Sequence, residues 1–126
     1  KMKELTKAEE EIMQLLWQLK KAFVKEIIAA MPADKKGRKP AYNTVSTIVR
    51  ILQDKGLVDH ETVGKSHRYY PLISKEEYSK FKMDHLMSGY FEGSFSKMVS
   101  FFMDKKKINT RELEEIMKII EKNKQP

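Results

Sequence analysis

Residues 43–52 carry two interleaved sets of side chains. Asn43, Thr44, Ser46, Thr47 and Arg50 are short or forked hydrogen-bonding groups, while Val45, Ile48, Val49 and Leu52 are apolar. On a helix these sets fall on different faces. The forked ends of Asn43 and Arg50 suit bidentate bonds to base edges or phosphates, and the hydroxyls of Thr44, Ser46 and Thr47 suit phosphate oxygens or contact with thymine methyls. That is recognition chemistry. Bond-making chemistry finds little support, because no nucleophile elbow, P-loop, HExxH or paired-carboxylate pattern occurs. Asp59 and His60 are strand neighbours that point to opposite faces and form no dyad. The expectation is a non-enzyme without a cofactor.

The elements that must hold this face follow from capping and periodicity. Thr6 and Glu9 form a capping box, followed by Ala8, Ile12, Leu15, Leu16 and Leu19 at helical spacing. A second helix is expected over 22–31, with Val24, Ile27, Ile28 and Met31 inward and Pro32 ending it. A basic loop then carries Lys35, Lys36, Arg38 and Lys39, broken at Gly37 and Pro40. The third helix is expected over 41–55, closed by a left-handed Gly56. Residues 57–61 and 66–72 have the β-branched and aromatic bias of strands, with Gly64 in the turn between them. Three helices and a hairpin make a winged helix-turn-helix, mainly α with a small β component. An ordinary core helix would share the periodicity of 43–52. Arg50 one turn on and the cationic hairpin immediately downstream favour a reading helix with a wing, in which Lys65, His67 and Arg68 meet phosphates or the minor groove.

Composition restricts the partner. The 126 residues carry a net charge of +7, and residues 1–73 hold 14 Lys/Arg against 9 Asp/Glu. A basic first lobe fits a polyanion, since each neutralised phosphate releases counterions. There are no cysteines, so disulfides, thiolate zinc and thiol nucleophiles are excluded. His60, His67 and His85 are the only histidines. The first two can meet across the hairpin, but no carboxylate or Cys accompanies them, and no metal site is expected. No apolar run has membrane-spanning length and no signal-like segment opens the chain, so cytoplasmic residence without membrane insertion is expected.

After Ile73 the character changes. Ser74 and Glu77 form a second capping box, opening a helix with Tyr78, Phe81, Leu86 and Tyr90 that Gly89 and Gly93 interrupt or bend. Another helical stretch covers 95–103, and Asn109 caps a last helix. The expected domains are 1–73, which binds DNA, and 74–126, a helical dimerisation lobe. This second lobe is too small to bury its own aromatics and methionines. Tyr90, Phe91, Phe95, Met98, Phe102, Leu113, Ile116, Met117 and Ile120 are therefore expected at a seam between two copies of the chain. Two-fold symmetry then presents two reading helices to consecutive major grooves, roughly 34 Å apart. Two rival readings are a winged-helix regulator with a small-molecule pocket in its second lobe, and a protein–protein module without a DNA role.

The chain resembles the penicillinase-repressor family of transcriptional repressors, the BlaI/MecI type. Leu5-Thr-Lys-Ala-Glu-Glu-Glu-Ile-Met-Gln-Leu-Leu-Trp17 is similar to the family's opening pattern. Asn43-Thr-Val-Ser-Thr-Ile-Val-Arg-Ile-Leu52 is similar to its recognition helix, and Lys55-Gly-Leu-Val-Asp-His60 with Tyr69-Tyr-Pro-Leu72 to its wing. The resemblance runs from Leu5 to about residue 122, more specific in the first lobe than in the second. It implies a homodimer on an inverted-repeat operator in double-stranded DNA, with contacts from Asn43, Thr44, Ser46, Thr47 and Arg50 and support near Lys65 and Arg68. In antibiotic-responsive members a membrane sensor protease triggers cleavage in the C-terminal lobe. The comparable bond is Phe101–Phe102, where those members have a polar residue in place of Phe101. The copper-responsive branch carries paired cysteines, which this chain lacks.

Overall fold

The computed structural model describes residues 2–124; Lys1, Gln125 and Pro126, the outermost positions of the two expected lobes, lie outside the described residues. The elements run α1 (Lys7–Leu19), β1 (Ala22–Phe23), α2 (Val24–Ala30), α3 (Tyr42–Asp54), β2 (Val58–Val63), β3 (Ser66–Pro71), α4 (Lys75–Phe91), α5 (Phe95–Asp104) and α6 (Thr110–Lys124). The chain divides into two compact units, Lys1–Phe81 and Lys82–Pro126. No helix among the described residues is long and apolar enough to cross a membrane.

The first unit is a winged helix. Its α1 begins at the expected box: Thr6 Oγ1 accepts the Glu9 N–H at 3.1 Å, and Glu9 Oε1 accepts the Thr6 N–H at 2.9 Å. The stripe that α1 buries is turned slightly from the expected one. Glu9, Ile12, Met13 and Leu16 go inside, whereas Ala8 and Leu19 are exposed. A carboxylate can occupy this interior because Lys55 Nζ reaches its Oε2 at 2.8 Å. Burial alone would raise the Glu9 pKa, but the Lys55 and Thr6 hydrogen bonds outweigh it and hold the group below its ordinary value.

Residues 22–31 divide differently from the expected single helix. Ala22 and Phe23 pair antiparallel with Tyr69 and Arg68, so the hairpin becomes a three-stranded sheet in the order β1-β3-β2. A two-residue strand shows no alternation, which is why helical periodicity absorbed it. Helix α2 then starts at Val24, with Glu26 Oε1 accepting the Phe23 N–H at 2.8 Å.

Helix α3 buries Val45, Val49 and Leu52 against α1, α2 and β2. Its end explains the wing's direction. Gly56 N–H donates to the Gln53 carbonyl at 2.9 Å, and Leu57 N–H donates to that of Leu52 at 3.0 Å, a Schellman closure with Gly56 at φ 80°. Leu52 and Leu57 are both buried beneath it. Strands β2 and β3 pair from Val58↔Pro71 to Val63↔Ser66, leaving Gly64 and Lys65 as a two-residue tip. Gly64 has φ 63° while Lys65 does not enter the positive region, the pattern of a type II′ turn.

The first two turns of α4 belong to this unit. Ser74 and Glu77 cap the helix reciprocally at 3.0 Å. Tyr78 is buried, its hydroxyl accepts the Leu5 N–H at 3.0 Å, and Trp17 Nε1 donates to the Ile73 carbonyl at 2.8 Å. Gly89 sits within continuous helix, and the turn comes at Glu92 and Gly93, both at positive φ.

The second unit is helical and lacks a core of its own. Among the described residues none beyond Tyr78 is buried. Phe91, Phe101 and Phe102 cluster at centroid separations of 5.6–6.5 Å, yet Phe101 is 47% exposed, Tyr90 78%, Met117 62% and Ile119 60%. Ser94 caps α5 by accepting the Lys97 N–H, and Asn109 caps α6 by accepting the Glu112 N–H.

Two stability measurements check this description. A Cβ at residue 56 would meet open space, so Gly56→Ala pays only for its left-handed backbone. It should lower unfolding free energy by about 1–2 kcal/mol, with Gly56→Asn costing less; equal stability of all three would contradict the closure. Glu9 has a depressed folded-state pKa, so its contribution is present above the ordinary carboxylate range and lost as pH falls through the folded value. Urea titration of Lys55→Ala should show a deficit of about 1–2 kcal/mol at neutral pH that shrinks in acid. A deficit independent of pH would show that the pair does not couple to protonation.

Candidate nucleic-acid interface

Burying one side of α3 leaves a polar remainder with two stripes. Asn43, Thr47 and Arg50 recur at helical spacing and are exposed, with Thr44 beside them. Tyr42, Ser46 and Arg50 form the second stripe and turn toward the wing. Between them and the hairpin lies a groove of about 660 Å³, lined also by Phe23, Lys25, Glu26, Val63, Lys65, Ser66, His67 and Tyr69. Arg50 belongs to both stripes and stands where the open helix face meets the groove.

The expected contact residues therefore separate into three groups. Ser46, Arg50 and Lys65 come together in the groove. Asn43, Thr44 and Thr47 stand on the open face of α3. Arg68 does not itself line the groove; its guanidinium lies 3.5 Å from Glu61 and 5.7 Å from the ring of Phe23, which does. Lys21 joins it, bonding Glu61 at 2.7 Å and lying 5.5 Å from the Tyr70 ring. The Lys21 hydrogen bond foremost, with the Arg68 charge, lowers the Glu61 pKa. Arg68 and Tyr70 alternate with His67 and Tyr69 along β3, so the two pairs face opposite sides of the sheet.

The groove's electrostatics are cationic. Arg50 and Lys65 have no ion-pair partner among the described residues. Burial raises the Tyr69 phenol pKa, and the nearby Arg50 charge opposes that rise. The His60 and His67 rings lie with centroids 4.0 Å apart, tilted by 43°, and His60 Nδ1 lies 3.0 Å from Gln53 Oε1 on α3. This contact ties the wing to the end of α3. Among the described residues no group of three or more His, Cys, Asp or Glu could hold a metal.

Tyr42, Phe23 and Lys25 are groove residues that sequence reasoning missed. Tyr42 carried a signal, an aromatic hydroxyl one turn before Ser46. Phe23 and Lys25 carried none, because they reach the groove only through the two-residue strand and the start of α2.

The expected dimer residues lie on all three helices of the second unit. Tyr90, Phe95, Met117 and Ile120 are exposed, while Phe91, Met98, Phe102, Leu113 and Ile116 are half-buried. The Phe101–Phe102 bond falls inside α5.

The chain matches the penicillinase repressor family over residues 5–122. It is 26% identical over 119 residues to the methicillin resistance regulatory protein MecI of Staphylococcus aureus strain N315, covering 94% of each chain. It is 24% identical over 124 residues to the penicillinase repressor of Bacillus licheniformis, covering 98% of this chain and 94% of that one. In fold, it is similar to the solution structure of the DNA-binding domain of the repressor BlaI, with a TM-score of 0.51 and 24% identity over 62% of this chain and 92% of that one. With a match from the first capping box almost to the end of α6, the chain belongs to the penicillinase repressor family, a family of transcriptional repressors.

Proposed function

We propose that this chain is a cytoplasmic, homodimeric repressor that binds an inverted-repeat operator in double-stranded DNA. The observation that carries the reading is the cationic groove between α3 and the wing, continuous through Arg50 with an exposed polar helix face. On this reading α3 enters the major groove, where Asn43 and Arg50 meet base edges or phosphates and Thr44, Ser46 and Thr47 meet phosphates or thymine methyls. Lys65 at the wing tip neutralises backbone charge, and Arg68, paired with Glu61, stiffens the strand that carries it.

Residues 1–73 serve as the DNA-binding lobe and 74–126 as the dimerisation lobe, the first two turns of α4 packing with the former. Tyr90, Phe91, Phe95, Met98, Phe102, Leu113, Ile116, Met117 and Ile120 form the seam. Support comes from the exposure of large apolar side chains in a unit with no buried residue among those described. A second copy removes that surface from water. Joining two lobes makes the second half-site contact intramolecular, at effective concentrations in the millimolar range. Cutting Phe101–Phe102, in response to a membrane sensor protease, would sever α5 within its aromatic cluster. The dimer would weaken and DNA would be released without any change in base contacts. Because that bond lies in a helix, cleavage requires local opening of α5.

The test uses a duplex selected from a random library by the wild-type chain. Arg50→Ala should weaken binding to it by about 1–3 kcal/mol, and Thr47→Ala by less, while sedimentation still shows a dimer. Unchanged affinity in both variants would remove α3 as the reading element, and a monomer at micromolar concentration with duplex present would remove the dimer.

A further inference from the structure

The four cations between α2 and α3 are not equivalent. Helix-turn-helix pairs are commonly joined by about three or four residues, whereas residues 31–41 separate these two. The additional chain folds back on itself. The Asp34 N–H donates to the Arg38 carbonyl at 2.8 Å, and the Gly37 N–H donates to the Asp34 carbonyl at 2.9 Å. The Asp34 carboxylate accepts the N–H groups of Lys36 and Arg38, each at 2.9 Å, and Arg38 Nε at 3.3 Å. The Arg38 N–H foremost keeps that carboxyl below its usual pKa despite some desolvation. Lys39 is also engaged, since its Nζ donates to the Ala29 carbonyl at 2.9 Å and to that of Met31, closing the end of α2. Lys35 and Lys36 remain. They sit at the tip of the closed loop, exposed, with no side-chain partner among the described residues.

We propose that this loop is a second clamp for DNA backbone phosphates, in which Asp34 positions Lys35 and Lys36 beside the stretch that α3 reads. The inference rests on the DNA-binding reading above and adds residues to it. From Lys36 the chain passes through Lys39, anchored on α2, directly to Ala41, the N-cap of α3. Even fully extended, that path keeps Lys36 within about 20 Å of Tyr42 at the groove edge, a length along which one DNA strand presents about six phosphates. A loop already closed by Asp34 loses less conformational freedom on binding than an open one. Asp34 is therefore a positioning residue, a carboxylate whose presence strengthens binding to a polyanion.

That sign is the basis of the test, made with the full-length chain and a fluorescein-labelled duplex of random sequence at several salt concentrations. Lys35→Ala combined with Lys36→Ala should reduce the slope of log affinity against log salt by about two for each bound subunit. Asp34→Ala should weaken binding roughly tenfold while the chain stays folded at the assay temperature, because the loop must then be ordered on the DNA. Asp34→Asn keeps an acceptor for the Lys36 and Arg38 N–H groups and should retain most of the affinity. Glu11→Ala, which removes an exposed carboxylate from α1, should leave affinity equal or higher. An unchanged salt slope in the double variant, or Asp34→Ala binding as well as or better than wild type, would overturn the clamp. If wild type binds and Arg50→Ala weakens it while the loop variants match wild type, only the clamp fails. If wild type binds no duplex at low salt, the DNA reading and the clamp fail together.

Discussion

One-sided burial of α3 is the constraint on which the rest of the molecule depends. Val45, Val49 and Leu52 hold the helix against α1, α2 and β2. Everything opposite them is left without protein to pack on. A helix buried all round could not offer Asn43, Thr47 and Arg50 to a partner, and one buried more weakly could not hold them in a fixed frame. The Schellman closure at Gly56 then sends the chain directly into β2, so the wing tip returns beside the helix it follows. The His60 contact to Gln53 ties the hairpin to α3, and His67 packs against His60 on the same side. A groove with Arg50 at one wall and Lys65 at the other results from these local closures.

The elements of this site were legible because each carries a strong local signal. Reciprocal Ser/Thr–Glu caps mark the starts of α1 and α4, Gly56 marks the end of α3, and Gly64 marks the hairpin turn. What escaped depended on distant partners. Ala22 and Phe23 become a strand only because β3 lies alongside them, and nothing in two residues announces that. Glu9 reads as a surface position, yet Lys55, far along the chain, makes it tolerable inside. Arg68 reads as one more cation on the wing, and only strand alternation with Glu61 and Phe23 as neighbours distinguishes it from Lys65. Fold was therefore easier to read than the division of labour among charged residues.

The two units show opposite balances of surface and interior. The first closes a compact core of aliphatic side chains with Tyr69 and Tyr78 at its margin. The second has amphipathic helices and an aromatic cluster, but its largest side chains remain in solvent. Apolar exposure on that scale in a small unit is unfavourable unless another surface covers it. If a second copy is that surface, as proposed, strength of association and strength of DNA binding would be linked through the same chain.

Amide chemical-shift mapping of the full chain titrated with its selected duplex tests the central claim most directly. The account predicts that the largest changes fall on residues 42–51 and 63–67, with the buried face of α1 unaffected. Complex formation with α3 and the wing tip silent, and the changes concentrated in α5 and α6, would contradict it.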